Sequence, residues 1–203
     1  MLHRLALPAL AALAAAACAS APSASGPAPS SSTAASSTAS SAAFTPTLNI
    51  AATSSWAADE RLMPQDPILA LIDAGGSVGA PAGFSTTCNP DNGAMTARLG
   101  KQSSTRVGQS ATFQMRVDGK ASMVEGKFEA NAKSPDADFV FPIKSADLRG
   151  MAAANQVSFQ TDGGELQWAF VKDPAATVSA KYIASLKGLP AESQSYIVYC
   201  NPK

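Results

Sequence analysis

Histidine is nearly missing from this chain, with His3 the one example in 203 residues. Histidine is the usual general base near neutral pH and the commonest metal ligand. A domain without it cannot run Ser-His-Asp or Cys-His catalysis or build a histidine-bearing zinc site. Ser-x-x-Lys and Cys-x-x-Cys are also missing, which removes the local signatures of a serine-lysine dyad and of a dithiol redox centre. Fifteen Lys and Arg balance fifteen Asp and Glu without a basic run. Neither nucleic acid nor an anionic membrane surface is therefore an indicated partner.

The amino-terminal residues are the most legible segment. Arg4 and the chain terminus form a short positive region, and Leu5 to Ala17 follow as thirteen uncharged residues rich in Ala and Leu. As a helix that run rises about 20 Å, short of the ~30 Å hydrocarbon core, so it reads as a secretion signal and not as a membrane span. Ala15, Ala16 and Ala17 are small enough for a signal peptidase, and Cys18 comes next.

Leu13-Ala14-Ala15-Ala16-Ala17-Cys18 resembles a bacterial lipobox, with Ala15 where the usual pattern carries Leu. The resemblance implies that Cys18 is lipid-modified and becomes the new amino terminus. Ala19 in place of Asp is similar to the arrangement that favours outer-membrane sorting. The alternative is ordinary cleavage nearby, with Cys18 removed or left as a spare thiol. Ala19 to Ala43 contain only Ala, Ser, Thr, Pro and Gly. Such a stretch has no large apolar side chain to offset the entropy of ordering, so it is expected to be a disordered tether. It would reach about 25–30 Å, enough to hold a domain clear of a bilayer surface. Loss of residues 1–17 removes His3 and Arg4, leaving fourteen Lys and Arg against fifteen Asp and Glu.

Residues 44–203 are long enough for one domain with a real core. They hold two cysteines, Cys88 and Cys200, read as a disulfide in an oxidising compartment. Two buried free thiols are the alternative. Alternation dominates after residue 84, in 84–88, 94–99, 111–117, 122–130, 138–143, 156–161 and 165–171. Asn-Gly and Asp-Gly turns separate several of these runs. Pro142 marks its run as an edge strand or a strand end. Leu166, Trp168 and Phe170 are expected on one face. Ser145 to Ala154 reads as a helix of at most two turns with a serine cap. Asp173-Pro174 opens an expected helix carrying Val178, Tyr182, Ile183 and Leu186, ended by Gly188. Ser195 to Cys200 reads as the closing strand. Leu48 to Ala52 reads as a strand; Ile68 to Ile72 is either a strand or a short helix capped by Asp66. Seven or eight strands with two or three helices give a mainly β fold with minor α, an antiparallel β-sandwich or partly closed barrel.

Each candidate site has an ordinary reading beside it. Gly75-Gly76-Ser77-Val78-Gly79 matches the G-x-S-x-G nucleophile elbow, yet no histidine serves it and Ala80-Pro81-Ala82-Gly83 is a poor helix. It reads as a Gly-rich connection. Lys181 or Lys144 could meet a serine only through the fold. Asp136-x-Asp138 offers paired carboxylates for calcium or acid-base work, and Asn89, Asp91 and Asn92 offer oxygens in one loop. Turn formation explains both. Trp56, Trp168, Tyr182, Tyr196 and Tyr199 are candidate recognition aromatics, with core packing the simpler role. One of Tyr196 and Tyr199 is expected to be exposed.

No catalytic residue, metal site or cofactor is assigned. The expected protein is a cell-envelope lipoprotein held in the outer membrane through acylated Cys18, with the domain in the periplasm and a non-enzymatic binding or accessory role. Its partners would be the lipid bilayer and an envelope protein or glycan. The alternatives are a histidine-independent hydrolase using carboxylates or Lys, and a carrier of a small apolar ligand.

Overall fold

The computed structural model describes residues 48–49, 53–59, 67–173, 175–176 and 178–201. The expected signal, Cys18 and the expected tether lie outside these residues, as do positions 50–52 of the first expected strand. Among the described residues the chain forms eleven strands and two α-helices, a mainly β fold with minor α. The strands are β1 Leu48–Asn49, β2 Ser55–Ala58, β3 Ile68–Ile72, β4 Phe84–Cys88, β5 Met95–Gln102 and β6 Ser110–Val117. They continue as β7 Lys120–Ala130, β8 Ala137–Ile143, β9 Gln156–Gln160, β10 Leu166–Val171 and β11 Tyr182–Ser185. Helix α1 is Ser145–Ala153 and α2 is Leu189–Cys200.

All eleven strands belong to one sheet, ordered β1-β11-β10-β9-β6-β7-β8-β5-β4-β3-β2. Pairing is antiparallel except for β11, which runs parallel to both β10 and β1. The sheet curls on itself. Four strands separate β4 from β9 in the order, yet the rings of Phe84 and Phe159 lie 6.1 Å apart and those of Phe84 and Phe170 5.6 Å apart. The two sides therefore face each other across one core, and the result is a nearly closed barrel. Phe113, Phe128, Phe139, Phe141, Phe159, Phe170 and Trp168 fill it, all fully buried. Burying each such ring contributes roughly 1.5–3 kcal/mol.

The barrel closes at Trp56. Its backbone N–H donates to Lys187 O at 2.8 Å and its indole N–H to Ser185 O at 2.8 Å. The Ser54 hydroxyl accepts from Ser185 N–H at 3.0 Å. Three bonds thus stitch the β2 edge to the end of β11, where a continuous ladder is not formed.

Two expected elements are reversed near the carboxyl end. The segment read as a helix through Leu186 contains β11, because Tyr182–Ser185 finds a parallel partner in β10. Both of its faces are covered: Ala184 joins the main core and Ile183 packs with Ala169, Val171 and Ala180 outside it. A strand buried on both sides loses its alternation, and the apolar run then mimics a helix stripe. The expected closing strand is part of α2. Leu189, Ser193, Tyr196, Ile197 and Cys200 share its buried face at helical spacing, and Gly188, with φ +88°, starts this helix and ends none.

The ladder also decides between open alternatives and corrects some details. Ile68–Ile72 is the strand of the two options. Pro142 sits near the end of β8, paired with Thr96 of β5 and beyond the last residue that pairs β7, so it is a strand end whose β7 side is an open edge. A register shift between Leu166 and Trp168 turns Leu166 to the outer cluster, away from Trp168 and Phe170. In α1 the cap is the Asp147 carboxylate accepting from Lys144 N–H at 3.0 Å, and Gly150 does not stop the helix.

Candidate functional site

The charged residues gather at the end of the barrel where β5 finishes and β8 begins. Strand β5 bulges between Leu99 and Gln102, and Lys101 adopts φ +64°. A lysine in the left-handed region costs about 1–2 kcal/mol, so the surroundings must hold it. They do so through three buried side chains. Trp168 Nε1–H donates to Gly100 O at 3.1 Å, Gln167 Nε2 to Lys101 O at 3.1 Å, and Gln102 Nε2 to Gly100 O at 3.0 Å. Gly83 lies beneath, with φ +140°; a Cβ there would come within 2.4 Å of the Trp168 ring. Only glycine fits.

This scaffold forms the wall of a cleft of about 70 Å³ lined by Arg98, Lys101, Asn131, Ser134, Asp136 and Asp138. The predicted carboxylate pair is therefore brought to one place, but both members are engaged. Lys101 Nζ stands 3.7 Å from Asp136, and the Ser134 hydroxyl donates to Asp136 at 3.3 Å. Asn131 Nδ2 donates to Asp138 at 3.0 Å, and Arg98 lies 3.9 Å from Asp138 and 3.0 Å from Glu129. Burial raises the Asp138 pKa, against the lowering pull of Asn131 and Arg98. The arrangement is a salt-bridged rim. Among the described residues no group of three or more His, Cys, Asp or Glu is placed to hold a metal.

The other candidates disperse. Ser77 is exposed in the loop between β3 and β4, where Ala80 N–H returns to Ser77 O at 2.9 Å and the Lys133 ammonium bonds Gly79 O. No helix follows it, as an elbow requires. Asn89 and Asn92 accept backbone N–H bonds from Asp91 and Ala94 at 2.8 and 2.9 Å, which makes their loop a pair of side-chain-closed turns. Lys181 lies 4.0 Å from Glu165 and 5.7 Å from the Tyr182 ring centre, and no serine partner appears for it or Lys144 among the described residues. Trp56, Trp168 and Tyr196 are buried, Tyr182 is partly so, and Tyr199 is exposed.

The opposite end of the barrel carries the two helices. Cys88 on β4 and Cys200 on α2 form the disulfide, with Cα atoms 5.8 Å apart and a sequence separation of 112. Closing a loop of that length contributes up to about 4.7 kcal/mol. Beside it, Tyr196 and Thr86 are neighbours whose hydroxyls miss hydrogen-bond geometry; burial pushes the Tyr196 phenol up to about 12. An open groove of about 520 Å³ runs between α1 and α2, lined by Ala152, Ala153, Pro190, Ile197 and Val198, with Arg149 at its side. Val198 is 67% and Tyr199 42% exposed, so large apolar side chains point to solvent along a helix that is covalently clamped. Reading 195–200 as a strand hid this groove; the spacing of Leu189, Tyr196, Ile197 and Cys200 was the available signal. No protein-family model, curated protein or solved structure matches the chain.

Proposed function

We propose that this is a lipid-anchored protein of the bacterial outer membrane whose β domain binds another envelope component without catalysing a reaction. The observation that carries this reading is the groove between α1 and α2, where Ala152, Ala153, Pro190 and Val198 sit among Arg149, Ser193, Gln194 and Asn201, with exposed apolar side chains beside it. Val198 and Tyr199 are held outward on α2, and the Cys88–Cys200 bond fixes that helix to the barrel. Exposed apolar groups on a preorganised surface lose little entropy when covered. The carboxylates at the other end are engaged by Arg98, Lys101, Asn131 and Ser134, which favours binding over acid-base chemistry. An aromatic-filled interior likewise favours a surface partner over an internal apolar ligand. The tether from Cys18 to Ala43 supplies the reach for a domain anchored by an acylated cysteine.

Photo-crosslinking in cells from position 198, followed by mass spectrometry, tests the surface. A reproducible envelope protein captured at 198 and lost when the exposed groove residues are changed by Ala153→Asp or Gln194→Asp is expected; capture of nothing above background would sink the binding role. Intact mass of the membrane-extracted chain tests the anchor. A diacyl or triacyl addition at Cys18 is expected, and an unmodified soluble chain would remove the lipoprotein reading.

A further inference from the structure

Strand β7 is eleven residues long, yet β8 pairs with it only from Lys127 to Ala130. Pro142 stands where the ladder would continue and has no N–H to give. From Lys120 to Gly126 the strand therefore has β6 on one side and no ladder on the other. Lys120, Ala121, Ser122 and Met123 are all exposed, so both faces of this stretch are uncovered, and Met123 is 62% exposed. An open edge of this kind is a template for another strand.

Its geometry restricts what can pair. Phe128 N–H donates to Gln109 O and Phe128 O accepts from Gly108 N–H, so Phe128 spends its backbone groups on the β6 side. By alternation Ala121, Met123 and Glu125 aim theirs outward. A two-fold antiparallel partner can match these three residues to the same three only with Met123 opposite Met123. That register forms about six interstrand hydrogen bonds, and shifts to either side form fewer.

The same register sets Glu125 of one copy opposite Ala121 of the other. Arg116 of β6 is the cross-strand neighbour of Ala121. The methyl of Ala121 leaves the way clear, and roughly 10 Å between the Arg116 and Glu125 backbones is spanned by their side chains. Within one copy Arg116 bonds only Gln114, and neither Arg116 nor Glu125 has an ion-pair partner among the described residues.

We propose that this edge is a self-association site, at which two copies of the chain pair β7 with β7 about an axis at Met123, closed by two Arg116–Glu125 bridges. Sedimentation of the full chain with a charge-swap cycle tests it. The native chain is expected to dimerise, Arg116→Glu and Glu125→Arg each to weaken the dimer about tenfold, and the double variant to regain most of it. Met123→Pro removes one outward N–H and spares the β6 ladder; it should be monomeric with an unchanged circular dichroism spectrum. A monomeric native chain, a Met123→Pro dimer, or a double variant no better than the singles would each overturn the proposal. Photo-crosslinking from position 123 in cells should join β7 to β7; capture of a strand from a different protein instead would replace self-pairing with docking of another chain.

Discussion

The two ends of the barrel solve the same closure problem in opposite ways. At the charged end the backbone itself is bent into the opening, and buried amide and indole donors hold the Gly100–Lys101 bulge. At the helix end the opening is plugged from outside by α1 and α2, and one covalent bond secures the plug. The first solution sets its rim carboxylates against Arg98 and Lys101. The second leaves Val198 and Tyr199 in water. Polar closure consumes its own functional groups, whereas a docked helix has a second face to spare.

The largest effect expected is at the helix end. Cys200→Ser should cost about 2–5 kcal/mol, and hydrogen exchange should show α2 losing protection while β5 and β8 keep theirs. Equal loss at both ends would mean that the plug and the barrel are one cooperative unit. Gly83→Ala attacks the charged end by driving a methyl into Trp168, at a cost of about 2–4 kcal/mol. A shift in Trp fluorescence should accompany it; an unperturbed spectrum would show that the indole is not wedged against residue 83.

The ends also differ in pH response, each holding one buried acid. Asp138 has a raised pKa, so its contribution is fully present below the ordinary carboxyl value and is lost as pH rises through the folded one. Asp138→Asn should therefore gain on the native chain between acid and neutral pH in urea titrations, and a constant difference would rule this out. The Tyr196 phenol, pushed up to about 12, gives the matching loss at the helix end, from pH 10 upward. Smallest is the exposed Arg106–Asp162 pair at 2.7 Å. Its hydrogen bond with Arg106 lowers the Asp162 pKa, so its stabilisation is present above the ordinary carboxyl value and fades as pH falls through the depressed one. Arg106→Gln should change stability by less than about 1 kcal/mol at neutral pH.

What could be read without coordinates divides along similar lines. The hairpins between residues 84 and 171 are legible because large apolar side chains alternate with small or polar ones along each strand, and Asp-Gly or Asn-Gly turns punctuate them. The Cys88–Cys200 pairing followed from counting. Residues 173–200 failed for a physical reason. β11 is covered on both faces and so shows no alternation, while Tyr196, Ile197, Val198 and Tyr199 have strong strand propensity that packing against β2, β3 and α1 overrides. The Asp136–Asp138 pairing in one cleft was anticipated from spacing. Its engagement was not, because Lys101 reaches Asp136 only through a left-handed bend that no local pattern announces.

The seam at Trp56 has a consequence for how the chain folds. Its bonds join residues 129 and 131 positions apart, nearly the whole length of the domain. The native contacts are therefore dominated by distant partners, a topology associated with folding in milliseconds to seconds. During synthesis β2 emerges early but finds its closing partner only after residue 187 has left the ribosome. Until then one margin of the sheet stays open, and the rate of that final meeting sets how long the half-built barrel is exposed to wrong partners.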